Sequence, residues 1–374
     1  MTEVYIAADN IVSPLGSTTA ENFQQLKENL SGVKQHNSTF SPQPFYAALF
    51  EENSIYNATA KYTKYEQLLI ASIGNAIKNA GIDVKNEKTV LIISSTKGNI
   101  SLLETETYND ELKQRMSLYN SAKLVADFFG FIHNPVVLSN ACISGVLAMI
   151  TGMRMLQSGQ YENAVVAGAD VISKFVLSGF QSFQAISDEA CKPFDSDRKG
   201  INLGEAAGTV ILSSNKKFAA EIKLSGGGVS NDANHISGPS RTGEELSVAI
   251  KKALENASVS AEEIDFISAH GTATLYNDEM EAKAITICGM EKVPVNSLKG
   301  YYGHTLGAAG LIESIITAHS MKENILIPTR GFLKPGVSQP INICSTLQTA
   351  TLNKCLKTAS GFGGCNAALV LSKN

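Results

Sequence analysis

The chain predicts an α/β fold made of two similar halves. Apolar strand-like runs alternate with amphipathic helical patterns along its length. The order of those elements then recurs in the second part of the sequence. In chain order, "EVYIAA" reads as a strand and "TTAENFQQLKENL" as a helix with a Thr cap region. "YEQLLIASIGNAIKNAG" is a longer amphipathic helix, with Gly81 at the C′ position. "TVLIISS", "YENAVVAGAD" and "GTVILSS" are continuous apolar strands, the kind buried on both faces. In the second half "AEIKLSGGGVS" answers "EVYIAADNIVS", and "IDFISAHGTAT" answers "TVLIISSTKGN". "VPVNSLKGYYGHTLGAAGLIESIITAHSM" answers the strand–turn–helix of "VVLSNACISGVLAMITGMRML". "AALVLSKN" closes the chain as "GTVILSSNK" closes the first half. The expected halves are residues 1–217 and 218–374.

Composition narrows the function classes. A chain of 374 residues with 44% hydrophobic content can bury a large core. A net charge of −4 gives no footprint for nucleic-acid binding. The apolar runs fall short of the roughly 20 residues a membrane span needs, and "MTEVYIAADN" lacks the regions of a signal peptide. The six cysteines lie far apart without CxxC pairing, which argues against a zinc site or a disulfide framework. A cytoplasmic protein is the expectation.

Several residues could carry chemistry. Cys142 lies between an apolar strand and a helical pattern, where a helix N-terminus would stabilise a thiolate. Its ordinary reading is a small core hydrophobe. His270 in "SAHGTAT" could be a core histidine. His304 precedes a small-residue run that would normally mark close helix packing. Lys299 in "NSLKGYYGH" would normally be solvated, "SGFGGCN" a flexible turn, and "KPFDSDRKGINLGEAAG" a charged loop.

Together these segments resemble the β-ketoacyl-acyl carrier protein synthases, condensing enzymes of the thiolase superfamily. The resemblance rests on "SNACISG", "AHGTATLYNDEME", "KGYYGHTLGAAG", "GFGGCN", "KPFDSDRKGINLGEAAG" and "VSPLG", in order along nearly the whole chain. It implies the thiolase fold, two duplicated βαβαβαββ halves in an αβαβα sandwich. It implies Cys142 as nucleophile and His270 and His304 as catalytic histidines. The backbone N–H groups of Cys142 and Phe362 would form the oxyanion hole, with Phe362 also a gate. Lys299 and Glu281 would be a supporting pair near His304, with Asp278 close by. Thr272 and Thr274 would contact a phosphopantetheine arm. No metal and no bound cofactor is implied; the substrates ride on an acyl carrier protein. Family members are dimers, here with a second copy or with another synthase-like chain.

Three alternatives separate on the residues. A non-elongating chain-length-factor subunit would usually lose the cysteine. An acyltransferase or hydrolase relative would lose a histidine or the lysine. All are present, which favours an elongating synthase. Asn140, Ile143, Gly300-Tyr301-Tyr302 and Ser360 depart from the usual pattern, and the stretch around 99–135 is short. These departures suggest a specialised fatty-acid, polyketide or polyene pathway. Lys61 and Lys64 stand where a basic carrier-docking surface would be, or on an ordinary solvated helix face.

Overall fold

The computed structural model describes residues 2–37, 40–51, 54, 61–233 and 238–374. Its centre is an eleven-stranded mixed sheet. The first half supplies β1 (Val4–Val12), β2 (Thr89–Ser94), β3 (Val136–Leu138), β4 (Asn163–Asp170) and β5 (Ala206–Ser213). The second supplies β6 (Ile222–Asn231), β7 (Phe266–Ser268), β8 (Pro294–Asn296), β9 (Asn342–Ile343), β10 (Lys354–Gly361) and β11 (Cys365–Lys373). Spatial order is β9-β8-β7-β10-β11-β6-β1-β5-β4-β2-β3. Read outward from the centre, β1-β5-β4-β2-β3 matches β6-β11-β10-β7-β8. In each half the second strand from the centre runs antiparallel to both neighbours. The halves join through a short antiparallel ladder, Val4 opposite Leu224 and Tyr5 opposite Lys223.

Among the described residues ten helices complete the layers: α1 (Thr19–Lys27), α2 (Lys64–Ala80), α3 (Asp110–Met116), α4 (Leu118–Phe129), α5 (Ser144–Gln157), α6 (Lys174–Ser182), α7 (Glu244–Ala257), α8 (Leu275–Ile287), α9 (Lys299–Tyr302) and α10 (Ala309–Glu323). Local chemistry sets their ends. Thr18 with Glu21, and Thr63 with Glu66, form capping boxes that satisfy the first free N–H groups of α1 and α2. Gly81 ends α2 in the left-handed conformation.

α2 and α4 cover the outer face of the first half, and α7 and α8 that of the second. α5 and α10 lie between, touching each other and strands of both halves. The result is the αβαβα sandwich. α10 is buried nearly all round, as an inner-layer helix must be. The close approach of α5 to α10 needs a residue without a side chain. A Cβ on Gly145 would sit 2.7 Å from the Leu311 backbone nitrogen and 3.0 Å from the Gly307 oxygen. Among the described residues no helix is long and apolar enough to cross a membrane.

Gly145→Ala is therefore expected to force the inner helices apart, at about 1–3 kcal/mol. Gly74→Ala in α2 meets only ordinary contact with Phe129 at 3.8 Å. It is expected to gain about 0.5–1 kcal/mol of helix propensity. Parallel thermal melts of the two variants check the opposite signs.

Candidate active site

The two inner helices and the ends of the central strands meet at one point. There Cys142, His270 and His304 are all buried, and their donor atoms lie within 4.8 Å of one another. The imidazole rings stand edge to face, centroids 5.2 Å apart. His270 Nδ1 and both ring nitrogens of His304 have no hydrogen-bond partner.

Each residue reaches this point by local structure. Cys142 sits on the turn between β3 and α5. Ser144 pins that turn, donating to the Ala141 carbonyl (2.7 Å) and accepting from the Asn140 N–H (2.8 Å). Ala141 has φ 43°, a left-handed conformation that costs a non-glycine residue about 1–3 kcal/mol. This strained elbow aims the cysteine inward. The glycine-rich segment after β10 is the hairpin turn into β11. A Cβ on Gly361 would lie 2.9 Å from the Cys142 backbone nitrogen, so the two backbones touch. Phe362 follows and is 39% exposed. It stacks on Phe180 (5.7 Å) and packs edge-on against Phe183 (5.3 Å).

His270 lies on the irregular turn after β7. Charged side chains hold this turn on all sides. The His270 and Gly271 N–H groups donate to Glu281 (2.8 and 2.7 Å). Those of Thr272 and Ala273 donate to Asp278 (2.9 and 3.2 Å). The carbonyls of Ser268 and Ala269 accept from Lys357 (3.1 and 3.0 Å), and that of His270 from Lys299 (2.8 Å). The Thr272 and Thr274 hydroxyls bond each other at 2.8 Å. Arg198 donates to the carbonyls of Thr274 and Leu275, so the charged loop of 192–208 buttresses the same turn. Asp170 ties the Thr96 and Lys97 N–H groups to the Gly307 N–H, just ahead of α10.

The structure corrects three expectations. Lys299 does not pair with Glu281. Its ammonium lies 2.5 Å from Glu313, on the inner helix α10. Glu281 is on the outer helix α8, on the far side of the turn, and grips N–H groups and the Thr358 hydroxyl (2.6 Å). Lys64 is not a free docking residue either. It turns inward to the buried Glu205 at 2.6 Å. Lys61 lies over the Tyr62 ring, 5.1 Å from its centroid.

The third correction concerns the thiolate. Burial pushes the Cys142 thiol up to about 12, with the nearby Cys365 adding to it and Lys299 opposing. A helix N-terminus contributes about 2 kcal/mol at best, about a thirtyfold change in the thiol–thiolate ratio. That leaves the resting group a thiol at neutral pH. Burial, together with the Lys299 charge, holds both imidazoles well below the usual histidine range. Burial also pushes the Asp278 carboxyl up to about 6. A neutral thiol thus faces two neutral imidazoles with unoccupied nitrogens. Proton transfer from sulfur to nitrogen can accompany nucleophilic attack.

Sequence reasoning missed Glu313 and Lys357. Each interrupts an otherwise apolar element, the helix "GLIESIITA" and the strand "KCLKTASG". A charged residue inside a fully buried element was the available signal.

A layered α/β sandwich with this centre is a thiolase-fold architecture. The family model described as Beta-ketoacyl synthase, N-terminal domain matches residues 1–217, and the Beta-ketoacyl synthase, C-terminal domain matches 220–333. The chain belongs to the β-ketoacyl synthase family. It is 27% identical to the 3-oxoacyl-[acyl-carrier-protein] synthase 2 of Vibrio cholerae, over 99% of each chain. It is 34% identical to the Rhizobium meliloti synthase of that name, over 62% of this chain and 59% of the relative. A ketosynthase in complex with its chain length factor, from Xenorhabdus doucetiae, superposes with a TM-score of 0.87 at 26% identity, covering 100% of this chain and 98% of that one. The ishigamide ketosynthase/chain length factor, 24% identical, shares the fold with a TM-score of 0.90, covering 100% and 99% of the two chains.

A resting thiol predicts a particular alkylation profile. The rate of Cys142 modification by iodoacetamide, read by peptide mass, should climb steadily between about pH 7 and 9. A plateau below pH 8 would mean a preformed thiolate.

Proposed function

We propose that this chain is a β-ketoacyl-acyl carrier protein synthase, joining an acyl group on Cys142 to a malonyl unit on acyl carrier protein. The half over 1–217 supplies the nucleophile, and the half over 218–374 supplies both histidines. The observation that carries this reading is the convergence of one thiol and two buried imidazoles, their donor atoms within 4.8 Å of one another.

In acyl transfer, the Cys142 sulfur attacks the thioester carbonyl and its proton passes to an imidazole. The oxyanion is met by the backbone N–H groups of Cys142 and Phe362. The pantetheine thiol leaves and takes the proton back. In condensation, the bond from the malonyl α-carbon to its carboxylate breaks and carbon dioxide departs. The electron pair moves to the thioester oxygen, where His270 and His304 donate hydrogen bonds. The α-carbon then attacks the acyl carbonyl on Cys142. Collapse of the tetrahedral intermediate frees the cysteine thiolate, which takes up a proton. Lys299 holds the His270 carbonyl and pairs with Glu313, while Glu281 and Asp278 hold the turn. Thr272 and Thr274 lie on that turn to contact the pantetheine arm. Phe362, with Phe180 and Phe183, gates the passage between acyl and malonyl sites.

The partners of this reading are an acyl carrier protein and a second synthase-like chain or a second copy. The Xenorhabdus structure, a ketosynthase with its chain length factor, supports the paired form. Strand β3 lies at the end of the sheet, with half-buried apolar residues on both faces. The departures at Asn140, Ile143 and Ser360 favour a specialised pathway, in the cytoplasm. The presence of Cys142 speaks against a non-elongating partner subunit. His270, His304 and Lys299 speak against a simple acyltransferase.

Intact mass after incubation with acyl-carrier thioesters tests the reading. The wild type should gain an acyl adduct, and Cys142→Ala should gain none. Malonyl-carrier should then discharge the adduct as a β-keto product two carbons longer. An adduct that never extends would mean acyltransfer alone.

A further inference from the structure

We propose that Lys357 is a positioning residue of this centre, clamping the Ser268 and Ala269 carbonyls so that His270 is held against His304 and Cys142. The inference rests on the condensing reading of the site.

Lys357 lies in the middle of β10, fully buried, opposite Ser268 in the parallel ladder with β7. Burying an ammonium there costs several kcal/mol before compensation. An apolar residue would fill the strand without that cost. Stability alone therefore does not explain a lysine here, nor does Glu313, which already has Lys299 as its partner.

Geometry supplies the explanation. Neighbouring residues on a strand point to opposite faces. Lys357 points to the inner layer, where its ammonium lies 2.6 Å from Glu313 on α10. Thr358 points to the outer layer and donates to Glu281 on α8. One dipeptide thus reaches Glu313 on the inner layer and Glu281 on the outer layer. Lys357 and Lys299 between them bind three consecutive carbonyls, Ser268, Ala269 and His270.

The charge balance points the same way. His270 faces Lys299 from α9, Lys357 from β10, Glu313 from α10, Glu281 and Asp278 from α8, and the Cys142 and His304 side chains. Lys299 and Lys357 together balance Glu313 and Glu281, and Arg198, 3.9 Å from Asp278, balances that carboxylate. Without Lys357 the surroundings gain a net negative charge, which favours imidazolium over imidazole. Protonated imidazoles cannot accept the thiol proton.

The test is Lys357→Met, assayed for two steps separately. Malonyl-dependent turnover should fall about 100-fold from misplacement of His270. Cys142 acylation, read by intact mass at pH 8, should change by less than about threefold. The acid limb of the turnover–pH profile should move to higher pH, and Lys357→Arg should recover part of the rate. Unchanged turnover in a folded Lys357→Met protein overturns the proposal. So does an equal fall in both steps, which means a merely structural role. If Lys357→Met does not fold, nitrogen-15 imidazole shifts of the wild type decide. Two imidazoles neutral well below pH 6.5 support the clamp, and titration near 6.5 overturns it. If the wild type acylates but never extends, the condensing reading has failed instead. The imidazole shifts of Lys357→Met, moved or unmoved, then decide the clamp by themselves.

Discussion

The active centre depends on one interaction above all, the cage of ionised side chains around residues 268–273. Beyond Ser268, which ends β7, and Ala269, whose N–H donates to Asn296, this turn has no helix or ladder to satisfy its backbone. Carboxylates on α8 take its N–H groups, and two buried lysines take its carbonyls. Each buried charge is costly alone. Placed in alternation around a turn, the charges satisfy one another and the backbone together. The turn gains a single conformation, and His270 a fixed direction. Burial, with the positive field of the same lysines, holds both imidazoles well below the usual histidine range.

The second constraint is the contact between α5 and α10. Duplication places one strand–turn–helix in each half, and the sandwich brings both to the middle layer. One copy carries Cys142 at its turn, the other His304. Gly145 at the crossing, set against the backbones of Gly307 and Leu311, lets the turns approach. Neither half has the chemistry alone. Cys142 comes from one and both imidazoles from the other, so the cluster forms where the halves are pressed together.

The strands and helices were legible because burial on one or both faces leaves a clear periodicity, as in "TVLIISS" and "YEQLLIASIGNAIKNAG". The cluster of Cys142, His270 and His304 was legible from whole motifs. What was hidden was which charge meets which. The family resemblance put Glu281 beside Lys299, yet α8 packs outside the turn and α10 inside. The choice of Glu313 over Glu281 is made by layer, which spacing does not encode. Lys64 was hidden for the same reason, because Glu205 approaches from a distant loop. The expected thiolate failed on magnitude: burial outweighs the helix terminus. Lys357, inside a strand, was visible as an anomaly but had no meaning until Ser268 and Ala269 lay beside it.

Glu281→Gln gives the most direct test of the cage. Glutamine keeps the shape of the side chain but replaces one of the two acceptor oxygens for the His270 and Gly271 N–H groups with a donor. Carbon dioxide released from malonyl-carrier, counted against Cys142 acylation in the same samples, reads the two steps separately. The account predicts acylation near the wild-type level and decarboxylation lower by about 100-fold. Decarboxylation at the wild-type rate would show that the carboxylate does not aim His270, and would contradict the account.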